Sequence, residues 1–197
     1  MTEIKAELPD VSLPLPLYES VRVGEMTGKD GSTFTLVIGL DRAAVERLKQ
    51  KSLDETDVEL MQKTSDRKRF GEGSYEDWYK KDRTPFAALD RQGDLAALVF
   101  CGPDTFPPEL LEPADKELRW DTIAVRSYAP YRGSGLVSAF TAFAVDSYLR
   151  LRPDRSLWLV TDADNNALMH LASKNGFEKR GAREDGRVVM TRTRPDK

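Results

Sequence analysis

A short glycine-containing run is the first part of this sequence whose residue types and spacing could do chemistry. Arg132-Gly133-Ser134-Gly135 follows a strand-like stretch that ends at Val125 and precedes a helix-like stretch. The free N–H groups of a first helical turn attract anions together with the helix dipole, and glycine lets a ligand approach the backbone because it has no Cβ. The run predicts a phosphate or diphosphate site. A plain tight turn is the alternative, because the spacing is neither that of a Walker loop nor GxGxxG.

Cysteine, histidine and charge content exclude several other chemistries. The 197 residues include one cysteine, Cys101, and one histidine, His170. A single cysteine excludes an internal disulfide framework, and the two residues are too few for a Cys/His zinc site, so we expect no metal. With 30 basic and 33 acidic residues the net charge is −3. This balance argues against nucleic-acid binding, which needs a basic surface.

The sequence predicts neither a secretory nor a membrane-spanning segment. Its first residues, MTEIKAELPD, lack a basic start followed by an apolar run. The longest clean apolar run, residues 95–101, is far shorter than the ~20 residues of a spanning helix. We therefore expect no membrane partner and a cytoplasmic location, which a free cysteine fits.

The hydrophobic pattern predicts the elements that must position the glycine run. Residues 1–18 contain three prolines and are predicted to be an extended arm, while residues 19–197 are predicted to form one domain. The first half of that domain combines two hairpins with two helices, the second of them over residues 54–68. The second half has the order β-α-β-α-β, with its first helix over residues 135–151, so the fold class is mixed α/β.

A second segment, about 30 residues after the glycine run, completes a known pattern. Residues 161–177 are TDADNNALMHLASKNGF and follow the apolar run SLWLV. The chain resembles the GNAT superfamily of acyl-CoA-dependent N-acyltransferases, over about residues 117–192. That family's loop is typically R/Q-x-x-G-x-G/A, and its next helix is typically N-x-x-A-x-x-L-Y-x-K-x-G-F. The matching positions here are Gly133, Gly135, Asn165, Leu171, Lys174, Gly176 and Phe177, with Pro130 at the first loop position.

The resemblance implies a fold and a cofactor. It implies a central, mostly antiparallel twisted sheet of about six or seven strands with a splayed parallel pair, and about four helices on both faces. Acetyl-CoA would lie where the two strands splay, with its diphosphate on the glycine turn and its pantetheine along the preceding strand. The implied cofactor-binding residues are Ile123, Ala124, Val125, Arg132, Gly133, Ser134, Gly135, Leu136, Asn165 and Lys174. Asn165 is alternatively a helix cap, and Lys174 a solvated lysine.

The implied reaction is direct attack of an amine on the thioester of acetyl-CoA. The amine must lose a proton, which Asp121 or Glu117 could accept, although both could equally be ordinary strand charges. The tyrosine that many members use as general acid is Ala172 here, so water, Ser173 or Tyr128 could take that role. A thiol with a pKa of about 8.5 can also leave as thiolate.

The acceptor amine could belong to a small molecule, an amino acid or a peptide. Phe70, Trp78 and Tyr79 lie in a polar loop and could bind this substrate, or they could simply anchor the loop on the core. The net charge is too small to identify the acceptor. The resemblance also implies that a homodimer is possible, because dimers are common in the family.

Two other functions remain open. Because Ala172 replaces the acid, the chain could be a non-catalytic acyl-CoA-binding regulatory protein. The glycine run could instead serve a nucleotide-binding module, which would bind ATP rather than CoA.

Overall fold

The apolar runs of the sequence pair side by side in one nine-stranded sheet. A computed structural model describes residues 2–194. Its strands are β1 Glu3–Ala6, β2 Val21–Thr27, β3 Thr33–Ile38, β4 Thr84–Leu89, β5 Leu95–Pro103, β6 Arg119–Ser127, β7 Arg155–Thr161, β8 Glu178–Ala182 and β9 Val188–Arg192. They lie in the order β1-β2-β3-β4-β5-β6-β7-β9-β8. Every neighbouring pair is antiparallel except β6 with β7.

The mixed α/β class and the splayed parallel pair are confirmed, but the sheet has more strands than the six or seven expected. One addition is β1, which pairs with β2 along Glu3–Ala6. This short run precedes the first proline of the chain, so all its N–H groups are available for a ladder. Leu13 and Leu15, further along the same segment, are buried in the core.

Within residues 2–194, five α-helices flank the sheet. They are α1 Arg42–Leu53, α2 Val58–Lys63, α3 Tyr75–Tyr79, α4 Leu136–Leu151 and α5 Asn166–Lys174, with a π-helical turn over Arg67–Gly71. The helix expected over residues 54–68 is shorter because Asp57 caps its start and Thr64 leaves the helical conformation at its end. Val58, at the start of this helix, has an exposed side chain, because the short helix buries only Leu60.

Side-chain alternation along the strands divides the core between two helical layers. On β5, Val99 and Cys101 belong to the cluster that packs against α4, whereas Leu98 and Phe100 belong to the cluster under α1 and α3. Cys101 is fully buried, and burial raises the pKa of its thiol. The thiol is therefore structural. Within residues 2–194, none of the helices has the length and apolar character that crossing a bilayer requires.

The parallel pairing of β6 with β7 ends early. It joins four residue pairs and stops at Thr122 with Trp158, although β6 continues to Ser127 and β7 to Thr161. Beyond that point β6 follows β5 and β7 follows β9. The carboxyl ends of the two strands thus diverge and open the middle of the sheet, which is where open α/β sheets bind ligands.

Candidate active site

The glycine turn that begins α4 has the geometry of an anion site. Gly133 and Gly135 have φ angles of 76° and 79°, in the left-handed region that glycine enters without strain. Gly135 immediately precedes the helix, whose first turn carries no acidic residue. A Cβ at Gly133 would meet no atom within 4 Å. The turn therefore offers backbone N–H groups at an open surface.

Arg132 holds the turn in place. Its guanidinium donates to both carboxylate oxygens of Asp57 at 2.8 and 2.6 Å, and its Nε donates to the carbonyl of Ser127 at 2.9 Å. This hydrogen bonding lowers the pKa of Asp57, which also caps α2. Because the guanidinium of Arg132 is paired with Asp57 at the start of α2, Arg132 fixes the position of the turn against α2. It also places a charged donor beside the turn.

A groove of about 630 Å³ runs from this turn between α2 and α5. We call it the glycine-turn groove. It brings together six of the predicted cofactor-binding residues, namely Val125, Arg132, Gly133, Gly135, Asn165 and Lys174. Ser134 is exposed on the turn, where its hydroxyl donates to the carbonyl of Tyr131, while Leu136 is buried in the core. Asn165 caps α5 by accepting from the Leu168 N–H at 3.1 Å, as the simpler alternative predicted.

Sequence reasoning missed one cation at the turn. Lys29 lies in the tight turn between β2 and β3, and its Nζ is 3.6 Å from the position of a Cβ built on Gly135. A lysine in a hairpin turn more than 100 residues away in sequence carries no local signal of this role.

A second cavity, of about 1060 Å³, opens between the diverging ends of β6 and β7 on the side of α2 and α3. We call it the splay cleft. Thr122, Ile123 and Ala124 line it from β6, and residues 158–161 line it from β7. Six residues line both this cleft and the glycine-turn groove, among them Val125 and Arg126, so the two cavities meet at the end of β6.

Of the three predicted aromatic residues, Trp78 alone lines the splay cleft. Phe70 is buried and packs edge-on against Trp78 and Phe100. Tyr79 is also buried, and its hydroxyl donates to the carbonyl of Leu15 at 2.7 Å. Burial raises its pKa to about 12. For Phe70 and Tyr79 the geometry is that of the anchoring alternative, because α3 turns its aromatic face inward.

The predicted catalytic residues are not brought together. Asp121 is fully buried on the α4 face of the sheet, where it accepts from the Tyr148 hydroxyl at 2.5 Å and lies 3.4 Å from Arg155. Desolvation raises its pKa. Glu117 is exposed at the opposite end of β6 from the splay, and Ser173 is exposed on α5. All three lie outside the linings of the groove and the cleft. Tyr128 is buried in the cluster under α1.

Two carboxylates that the sequence reasoning did not single out line the splay cleft within the described residues, Asp104 and Asp162. Asp104 follows β5 and lies 3.6 Å from Arg83. Asp162 is exposed and directly follows β7, at the splayed end of that strand. An acidic residue just after a buried strand is the signal that could have found it.

The scan against protein-family models finds no match for this sequence, and the search of curated proteins finds no matching relative. Solved structures do match. The GNAT domain of S. lividans PAT superposes with a TM-score of 0.62 at 19% identity, over 85% of this chain and 94% of that one. The ribosomal-protein-S5-alanine acetyltransferase from Vibrio fischeri gives 0.61 at 12% identity, over 82% and 94%. The spermidine N-acetyltransferase from Vibrio cholerae, solved with CoA and spermine, gives 0.56 at 17% identity, over 79% and 92%.

These likenesses establish the fold. The chain has the GNAT fold, which confirms the architecture that the two sequence motifs implied.

A buried ion pair fixes the wall between the groove and the cleft. Asp66, which is fully buried, accepts from Arg126 Nε at 2.6 Å and from Arg126 Nη2 at 2.8 Å. Arg126 belongs to β6 and lines both cavities, whereas Asp66 follows α2. The pair therefore ties the helical layer to the strand that splays.

Removing this carboxylate should destabilise the fold strongly. We expect Asp66→Ala to cost about 3–5 kcal/mol in the free energy of unfolding, because it leaves a buried guanidinium unpaired. Glu55→Ala is the matched control. It breaks an exposed pair with Arg67 in the same segment and should cost far less. Urea unfolding of the two variants checks the prediction, and equal losses would contradict it.

Proposed function

We propose that this protein is an N-acyltransferase that moves an acetyl or other acyl group from acyl-CoA to a primary amine of a small molecule, an amino acid or a peptide. One observation carries the proposal. The glycine-turn groove meets the splay cleft at the end of β6, so a long ligand with an anionic end on the turn would have its other end between the splayed strands. Two proteins with this fold are named as acetyltransferases of a protein alanine and of spermidine, which agrees with such a site.

Acyl-CoA suits the residues that form the groove. Its diphosphate needs backbone donors and positive charge, which the turn over residues 132–135 supplies together with Lys29 and Lys174. The extended pantetheine needs a free strand edge, and residues 123–125 of β6 have no pairing partner in β7. When bound, acyl-CoA supplies an activated thioester.

Proton transfer is the main task left to the protein. The amine nitrogen bonds to the thioester carbon, the carbon–sulfur bond breaks, and the proton of the ammonium group passes to a base. Asp162 takes this proton, directly or through water, because its carboxylate lies in the splay cleft at the end of β7. The thiol leaves as thiolate, since its pKa is about 8.5. The reaction therefore does not require the tyrosine that Ala172 replaces.

Thiol release tests the proposed activity. With acetyl-CoA and a panel of primary amines that includes free amino acids, short peptides and polyamines, we expect one mole of CoA thiol per mole of acetylated amine. Ala172 also motivates a second candidate, a non-catalytic acyl-CoA-binding protein. CoA binding without thiol release on any amine would favour that candidate over the enzyme. Protection from thermal unfolding by ATP but not by CoA would indicate a nucleotide-binding module instead.

The glycine turn can be tested separately. We expect Gly133→Asp to reduce the affinity for CoA at least tenfold, because the new carboxylate repels the diphosphate. Gly186→Asp is the matched control. Gly186 has φ 81° and open space around it in the β8–β9 turn, so the variant bears the same charge and a similar backbone strain away from the groove. Calorimetry should find CoA affinity unchanged in the control, and equal affinities in both variants would contradict the assignment.

The role of Asp162 makes a pH-dependent prediction. We expect Asp162→Asn to lower kcat by about 10- to 100-fold near pH 7, because the amine loses its base. The loss should shrink as pH rises, since more of the amine is then already deprotonated. Asp164→Asn is the control, because that exposed carboxylate lies in the same loop but lines neither cavity. A loss that does not vary with pH would contradict the role.

A further inference from the structure

The splay cleft is basic although the chain as a whole is slightly acidic. Among the described residues, five arginines and two lysines line it, against the two carboxylates Asp104 and Asp162. The net charge of the chain is −3. A local excess of cations in a cavity attracts anionic ligands and repels cationic ones.

One wall of the cleft has more guanidinium groups than carboxylates. Arg69, Arg83 and Arg126 line one side of the cleft, and the buried Asp66 pairs with Arg126 and, at 3.3 Å, with Arg69. Burial lowers the pKa of Arg69, and the nearby charges of Arg126 and Arg83 act in the same direction against the attraction of Asp66. Asp66 thus pairs with two guanidiniums, and the third, that of Arg83, lies 3.6 Å from Asp104, so three arginines share two carboxylates.

Three buried donors in the cleft wall have no hydrogen-bond acceptor within the described part of the protein. They are Nε of Arg83, Nε of Arg183 and Nε1 of Trp158, and that of Arg183 lies 3.8 Å from Glu109. Arg83 is 9% exposed and Trp158 is 5% exposed, and both residues line the cleft. Buried donors without a partner are costly in a folded protein, so a ligand oxygen that reaches one of them would be stabilising.

We propose that the acceptor amine carries a carboxylate, and that Arg69, Arg83 and Trp158 bind this group in the splay cleft. This inference rests on the proposed acyl transfer and names its substrate class. Guanidinium groups bind carboxylates through paired, charge-assisted hydrogen bonds, and the indole N–H adds a neutral donor. A free amino acid or a short acidic peptide fits this chemistry. A polyamine does not, because its several positive charges would face the arginines.

Matched acceptors test the carboxylate. The twenty common amino acids are compared as free acids and as their carboxamides, together with linear diamines and an aminoalkyl phosphonate. The α-amine of a carboxamide loses its proton at lower pH, so intrinsic reactivity favours the amide. We expect the best free acid to exceed its own amide in kcat/KM by about 10- to 100-fold. An amide or a diamine that reacts as well as the acid overturns the inference, and so does a clear preference for the phosphonate.

A variant shows whether the arginines cause the preference. We expect Arg69→Gln to raise KM for the free acid about tenfold, to leave KM for acetyl-CoA unchanged, and to bring the acid-to-amide ratio towards one. Arg22→Gln removes the same charge from an exposed position on β2 and should keep the ratio of the wild type. If the ratio in Arg69→Gln equals that of the wild type, the assignment is overturned.

Product binding separates this inference from the proposed function. N-acetyl amino acids and N-acetyl amino acid amides are titrated into the protein without CoA. Tighter binding of the acids, lost in Arg69→Gln, supports the carboxylate site even if CoA does not bind. Equal binding of acids and amides overturns it. Failure of CoA to bind overturns the acyl-transfer proposal alone.

Discussion

The end of the β6–β7 ladder at Thr122 is the constraint on which the site depends. A parallel pair that continued to Ser127 and Thr161 would close the middle of the sheet and leave no cavity there. Because each strand instead follows its other neighbour, the gap opens at the carboxyl ends, beside the turn that begins α4. The same divergence frees one edge of β6 and forms both walls of the splay cleft.

Ion pairs hold the helical layer over this gap. Asp57 with Arg132 joins α2 to the glycine turn, and Asp66 with Arg126 joins the segment after α2 to β6. Both arginines come from the strand or loop next to the opening, and both carboxylates come from the layer above it. The charges that shape the cavity walls are thus also the charges that attach the two layers. This arrangement explains why a cavity rich in arginine remains compatible with a stable fold.

The predictable part of the site is the part with local signals. The glycine turn, the following helix and the cap at Asn165 are each set by residues close in sequence, so the motifs fixed their geometry in advance. The face of the sheet on which a strand residue lies is not determined by residues close to it in sequence. Asp121 and Thr122 are adjacent in sequence, yet Asp121 faces α4 and Thr122 faces the cleft. The packing of α4 against one face of the sheet determines which residue lies on which side. The position of Phe70 is likewise set by tertiary packing, because it is buried in the core against Trp78 and Phe100.

Contacts between residues far apart in the chain could not be predicted from the sequence. Lys29, Arg69 and Arg83 come from three separate segments, and nothing in the spacing of those residues places them near the turn or the cleft. The net charge even has the opposite sign to the charge of the cleft, because a sum over the chain does not report where the charges meet.

A structure of the protein crystallised with CoA tests the central claim most directly. The account predicts the diphosphate on the backbone N–H groups of residues 132–135 and the sulfur atom between β6 and β7, next to Thr122. CoA bound elsewhere, or with its sulfur outside the splay cleft, would contradict the account.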